Sequence, residues 1–100
     1  MDNTVTIVVP IHAKPARREQ VRAALVELAA KSRQETGNMF YVPHETLGDP
    51  NKFIIYERWA DQAALDFHME QAYLKEFLEA SATLLSEPVK GELCRELGAP

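Results

Sequence analysis

At 100 residues, 46% of them hydrophobic and 26% charged, the chain has enough apolar material for one globular core and no room for a second, so a single domain over 1–100 is expected. The formal net charge is −4 and the basic residues are dispersed, with Arg17 and Arg18 the only adjacent pair, which argues against nucleic-acid binding. A single cysteine, Cys94, excludes an internal disulfide, and no basic leader precedes a long apolar run, so a cytoplasmic protein without membrane contact is expected.

In chain order, the β-branched run TVTIVVPIH, Thr4 to His12, reads as a first strand. Pro10 removes a ladder donor and so predicts an edge position or a bulge late in that strand. Pro15 suits the first turn of a helix, and Val21, Ala24, Leu25, Leu28 and Ala29 follow at helical spacing as one apolar stripe. Arg17, Arg18, Arg22, Glu27 and Lys31 lie mostly off that stripe, and Gly37 in ETG is expected to end the helix in the left-handed conformation. NMFYVPHE then reads as a second strand, LGDPNK as a turn and FIIYERW as a third strand, which together make a hairpin. Asp61 can cap a helix whose Ala64, Leu65, His68 and Ala72 share a face. A further segment repeats the pattern with Leu74, Phe77, Leu78 and Leu85 until Pro88 stops it, and VKGELCREL is short and alternating enough for a fourth strand.

The order βαββαβ predicts an α+β protein of the ferredoxin-like, split βαβ type, a four-stranded antiparallel sheet with helices on one face. In the third strand Phe53, Ile55, Glu57 and Trp59 alternate with Ile54, Tyr56 and Arg58, so both sheet faces carry apolar side chains. No further element is left to cover the second face. A second copy of the sheet would do so, and a two-fold homodimer is expected.

The stretch YERWADQAALDFH, Tyr56 to His68, resembles the E-x-W-x-(D/S)-x-x-A-(L/V)-x-x-H block of the antibiotic biosynthesis monooxygenase family. HAKPARREQVRAAL, SRQETGNMFY and DPNKFIIYE match its other recurrent blocks in the same order, nearly end to end. The resemblance implies a ferredoxin-like fold assembled as a dimeric α+β barrel. It also implies one of several activities: cofactor-free oxygenation of quinols or anthrones, haem degradation, isomerisation of a phosphorylated signalling sugar, or a role not yet defined. In members with a defined site the ligand lies between sheet and helices, which carries over here to Trp59 and to His68 on the helix above it.

His68 follows Ala64 by four and Leu65 by three, so it faces inward, where an imidazole is either satisfied by a structural partner or available to a ligand. Glu57, between Ile55 and Trp59 on the inward face, needs a partner; a bond to His68 would hold the imidazole tautomer, and a helix N-terminus or a donor across the sheet would serve equally. Trp59 is packing material as readily as a ligand wall, and with Phe40 or Tyr41 it would bound an aromatic slot. Tyr56 could also orient a phenolic ligand through its hydroxyl. Tyr73 stands where many relatives carry a second histidine, five residues after the first, and this departure puts any two-histidine mechanism in doubt.

His12, His44 and His68 fall on three different elements with no paired spacing, so no metal site is expected. Haem-degrading relatives use an asparagine on the first strand, where this chain has Val9 and Pro10. No glycine-rich phosphate loop or dinucleotide fingerprint is present, so no cofactor is expected. The leading expectation is a cofactor-independent monooxygenase that oxidises a quinol- or anthrone-type aromatic with dioxygen, His68 serving as base and Glu57 orienting or tuning it. The alternatives are isomerisation of a phosphorylated sugar, for which Lys14, Lys52 and Arg58 are the available cations, and a non-catalytic dimeric ligand-binding or stress-associated module.

Overall fold

β1 (Val5–His12) and β3 (Lys52–Trp59) pair antiparallel along their whole lengths, from Val5 opposite Trp59 to His12 opposite Lys52. β2 (Asn38–Glu45) flanks β3 and the short β4 (Glu92–Cys94) flanks β1, giving the sheet order β2-β3-β1-β4. Among the described residues three α-helices, α1 (Arg18–Ser32), α2 (Gln62–Met69) and α3 (Ala72–Leu84), complete an α+β, ferredoxin-like arrangement of the expected βαββαβ type, with the second helix of that order in two pieces. This computed structural model describes residues 3–98; the extreme ends of the expected 1–100 domain lie outside the described residues.

Pro10 lies in a central strand and not at a bulge, because the β1–β3 register is unbroken. The edge is local. β4 pairs with β1 only from Thr6 to Val8, and the carbonyl of His12 accepts from Ser86 N at 2.8 Å on the side away from β3. Polar groups of alternate residues point the same way in an antiparallel strand, so the missing N–H of Pro10 faces that side too, beyond the last β4 partner.

α1 follows a 3-10 turn at Pro15–Arg17 and buries Val21, Leu25, Leu28 and Ala29, as the stripe predicts, with Ser32 continuing it. The helix stops at Ser32, before the expected terminator. Gly37 is not left-handed, and glycine is required there for space instead: a Cβ would collide with the Cβ of Ala64. α2 begins where expected, with Asp61 Oδ1 accepting from Ala64 N at 2.8 Å. It ends at Met69, where the Gln71 side chain donates to the carbonyl of Phe67 and the extended Gln71 backbone opens α3, which leaves Ala72 exposed instead of on the inner face. β4 keeps only three residues of VKGELCREL, all exposed, as suits a stretch with a lysine and two glutamates.

The core lies between the inner sheet face and the helices, built on residues such as Ile11, Val21, Leu25, Phe53, Ile55 and Leu65. Among the described residues the outer face has no second layer. Val8, Pro10, Val42, Ile54 and Tyr56 are half-buried there, with Phe40 more exposed beside them.

Candidate functional site

Strand alternation puts Ile55, Glu57 and Trp59 on the inner face, and the β2–β3 register sets Tyr41 opposite Glu57. Asp61 starts α2 directly after β3, so His68, about two turns along, is carried back over the end of that strand. Its imidazole lies 4.4 Å from the Trp59 ring, centroid to centroid. Trp59, Tyr41, His68 and Glu57 are all buried, the last two exposing 2% and 4% of their surface.

Both ring nitrogens of His68 face carboxylates, in different ways. Nδ1 lies 2.8 Å from Glu35 Oε2, and the Tyr73 hydroxyl donates to that same oxygen. Nε2 is 4.0 Å from Glu57 Oε1, which accepts instead from Trp59 Nε1 at 3.0 Å. The expectation that Glu57 holds the imidazole tautomer is therefore corrected, since a 4.0 Å gap is too long for a hydrogen bond and Glu35 occupies the other nitrogen. Neither alternative donor expected for Glu57 is the observed one; the indole two residues on supplies it.

Burial pushes the Glu57 carboxyl up to about 7, with the Glu35 charge adding to the rise and the Trp59 hydrogen bond opposing it. Burial, reinforced by Glu57, also raises the Tyr41 hydroxyl far above the ordinary tyrosine value. Tyr73 moves the same way through burial and its bond to Glu35.

A cavity of about 170 Å³ lies between the inner sheet face and the helices. Tyr41, Glu57 and His68 line it among largely aliphatic and aromatic neighbours that include Ile55, Leu74 and Phe77. Met69 and Leu78 also line it and are partly exposed, which marks its mouth. Of the residues expected to surround a ligand, Tyr41 reaches the cavity, while Trp59 stands behind it, bracing His68 and Glu57. Tyr73 likewise acts at one remove, through Glu35. Phe40 is turned to the outer face, where its ring meets Tyr56 at 5.1 Å; alternation lets only one of Phe40 and Tyr41 point inward. Glu35 was not expected. It sits in the connection between α1 and β2, where no periodicity indicates which side chain is buried, although Ser32, at helical spacing from Leu28, could have been read as inward.

His12 lies near Glu87 and His44 bonds its own strand at Val42, away from His68, and among the described residues no group of three His, Cys, Asp or Glu could hold a metal ion. Lys14 donates to the Ala82 carbonyl, Arg58 pairs with Glu96, and neither these nor Lys52 line the cavity. No helix among the described residues is long and apolar enough to cross a membrane.

The family model described as antibiotic biosynthesis monooxygenase matches residues 4–80. YcnE of Bacillus subtilis (strain 168), a protein provisionally named a monooxygenase, is 38% identical over 79 residues, which span 79% of this chain and 83% of that protein. The crystal structure of PA3566 from Pseudomonas aeruginosa superposes with a TM-score of 0.91 at 31% identity, covering 98% of both chains. Rv0793 from Mycobacterium tuberculosis shares the fold, with a TM-score of 0.89 at 23% identity over 96% of this chain and 97% of that one. The match runs through the strand and helix that carry Glu57, Trp59 and His68, and the chain belongs to the antibiotic biosynthesis monooxygenase family.

Proposed function

We propose that the protein is a cofactor-independent monooxygenase of a small quinol-type aromatic, with His68 Nε2 as the base. The observation that carries this reading is the pair formed by His68 Nε2 and Glu57 Oε1, which face one otherwise apolar cavity 4.0 Å apart. One phenolic oxygen fits between two such atoms at ordinary hydrogen-bond distances of about 2.8 Å. It would give its proton to Nε2, while Glu57, largely neutral at the lower end of physiological pH, avoids placing a second negative charge beside the phenolate.

The phenolate passes an electron to dioxygen, the two radicals combine, and the resulting hydroperoxide loses water. For a hydroquinone the balance is quinol plus dioxygen giving hydroxyquinone plus water, so the substrate supplies every electron and no reductant is needed. Tyr41, held in its neutral form, borders the slot, and the apolar walls keep the anion and reduced oxygen from bulk water.

Cavity size favours the quinol over the anthrone. An apolar cavity of about 150 Å³ accommodates benzene, so 170 Å³ suits one ring and not three fused ones. The phosphorylated-sugar alternative lacks support at this cavity, which no lysine or arginine lines. The bare outer face supports a homodimer, and an exposed unpaired thiol at Cys94 suits the reducing cytoplasm. The test is dioxygen uptake with hydroquinone, a naphthoquinol and an anthrone. Turnover of the single-ring substrate, abolished or strongly reduced in His68→Asn, is expected; tight binding of a quinol without oxygen consumption would make the protein a non-catalytic ligand-binding module.

A further inference from the structure

We infer that Glu35, braced by Tyr73, is the positioning residue of this site, fixing the His68 tautomer with Nε2 free toward the cavity and stabilising the imidazolium that forms there. The inference deepens the proposed role of His68 as a base and rests on it. Its geometry stands on the contacts themselves. Glu35 Oε2 accepts the Tyr73 hydroxyl and lies 2.8 Å from His68 Nδ1, and because a carboxylate oxygen accepts, this contact calls for the hydrogen of a neutral imidazole on Nδ1. Nε2 then presents its lone pair to the cavity, with no hydrogen-bonding partner among the described residues.

The groups facing His68 come from every neighbouring element: Tyr41 from β2, Glu57 and the Trp59 ring from β3, Tyr73 from α3, and Glu35 from the connection before β2. When a substrate O–H bond breaks and an Nε2–H bond forms, the electron pair stays on the substrate oxygen and the ring becomes a cation. Of the two carboxyls at hand, burial raises Glu57 to about 7 and Glu57 lies 4.0 Å from Nε2, whereas Glu35 is at 2.8 Å from Nδ1 and is the better placed to balance the charge. Glu35 is poorly suited to a purely structural task. Its side chain is 6% exposed, yet among the described residues Oε1 is buried without a hydrogen-bond partner. Leaving one oxygen of a buried carboxylate unmatched costs stability, which is compatible with a role beyond the fold.

The test is histidine-labelled ¹⁵N NMR of the wild type, Glu35→Gln and Tyr73→Phe, titrated with pH and compared with kcat/KM profiles. The wild type should show His68 as the Nδ1–H tautomer. Glu35→Gln keeps an acceptor but removes the charge, so the His68 ¹⁵N titration should move to lower pH, and kcat/KM should drop roughly tenfold or more. Tyr73→Phe strips a donor from the carboxylate and leaves it more attractive to the cation, so the His68 titration should move the opposite way. Opposite signs in the two variants would not come from general loosening of the site. An Nε2–H tautomer in the wild type, or a His68 titration unmoved by Glu35→Gln, overturns the inference. The NMR arm needs no turnover, so an absence of oxygenase activity with the expected titrations would sink the proposed function and leave the Glu35–His68 pairing standing.

Discussion

The Trp59 indole lies under the His68 imidazole at 4.4 Å, tilted by 31°, and the same indole donates its N–H to Glu57. One side chain thus sets the depth of the base and satisfies the acid beside it. Trp59→Phe separates these tasks, because a phenyl ring still underlies His68 but offers Glu57 no donor. The hydrogen bond lowers the Glu57 pKa, so its loss should carry that value above about 7 and cost about 1–3 kcal/mol. Carbon-13 titration of the Glu57 carboxyl together with thermal melts checks both parts; an unmoved carboxyl would show that the indole bond is unimportant.

Stability should also depend on pH through Glu57. The folded-state pKa, about 7, stands above the ordinary 4.5, so the fold favours the neutral carboxyl. The stability this confers is complete below the unfolded value and is lost as pH rises through about 7. Glu57→Gln retains the acceptor for Trp59 and cannot ionise. Its stability relative to wild type should therefore improve as pH climbs from about 4.5 to about 8, by at most about 3 kcal/mol. Melting temperatures of both proteins across that range provide the measurement, and a gap that stays constant would contradict a strongly raised pKa.

The approach of Gly37 to Ala64 holds the Glu35 connection against α2, helped by the Ala60 N–H donating to the Gly37 carbonyl at 2.9 Å. Gly37→Ala should cost about 1–3 kcal/mol by overpacking and should disturb the His68 signals, since Glu35 is two residues away. Ala64→Gly removes the opposing methyl at roughly 1 kcal/mol of helix propensity. The double variant should then be more stable than Gly37→Ala alone, a non-additivity that chemical denaturation can read.

The convergence of His68, Glu57 and Trp59 was legible because local rules fix it. FIIYERW alternates cleanly, Asp61 caps the next helix, and spacing from Ala64 and Leu65 turns His68 inward. Tyr41 follows from the same alternation once the hairpin register is known. Glu35 escapes such rules. Its position depends on α1 ending at Ser32 and on the connector being pressed against α2, both of which are products of tertiary packing. The place of the break between α2 and α3, before Ala72 and not after it, was equally hidden, for no glycine or proline marks it; yet that break starts the helix from which Tyr73 reaches Glu35.

The outer sheet face yields the last prediction. Ile54 sits opposite Pro10 in the β1–β3 register, Tyr56 opposite Val8, and Val42 and Phe40 extend the apolar area on β2, while His12, His44 and Lys52 border it. An apolar centre with a polar rim is the anatomy of a protein interface, and a sheet with one bare apolar face lacks the second layer that a core requires. The wild type should therefore show twice the monomer mass by light scattering at micromolar concentration, and a monomer there would remove the argument. Ile54→Asp places a carboxylate at the centre of the proposed interface, where burial without a partner costs several kcal/mol, whereas in a separated monomer water can solvate it. A folded monomer is the expected result, and an unchanged dimer would locate the interface elsewhere. Because His68, Glu35 and Glu57 come from one chain and lie on the other side of the sheet, the His68 titration should survive dissociation, which separates loss of the dimer from loss of the site.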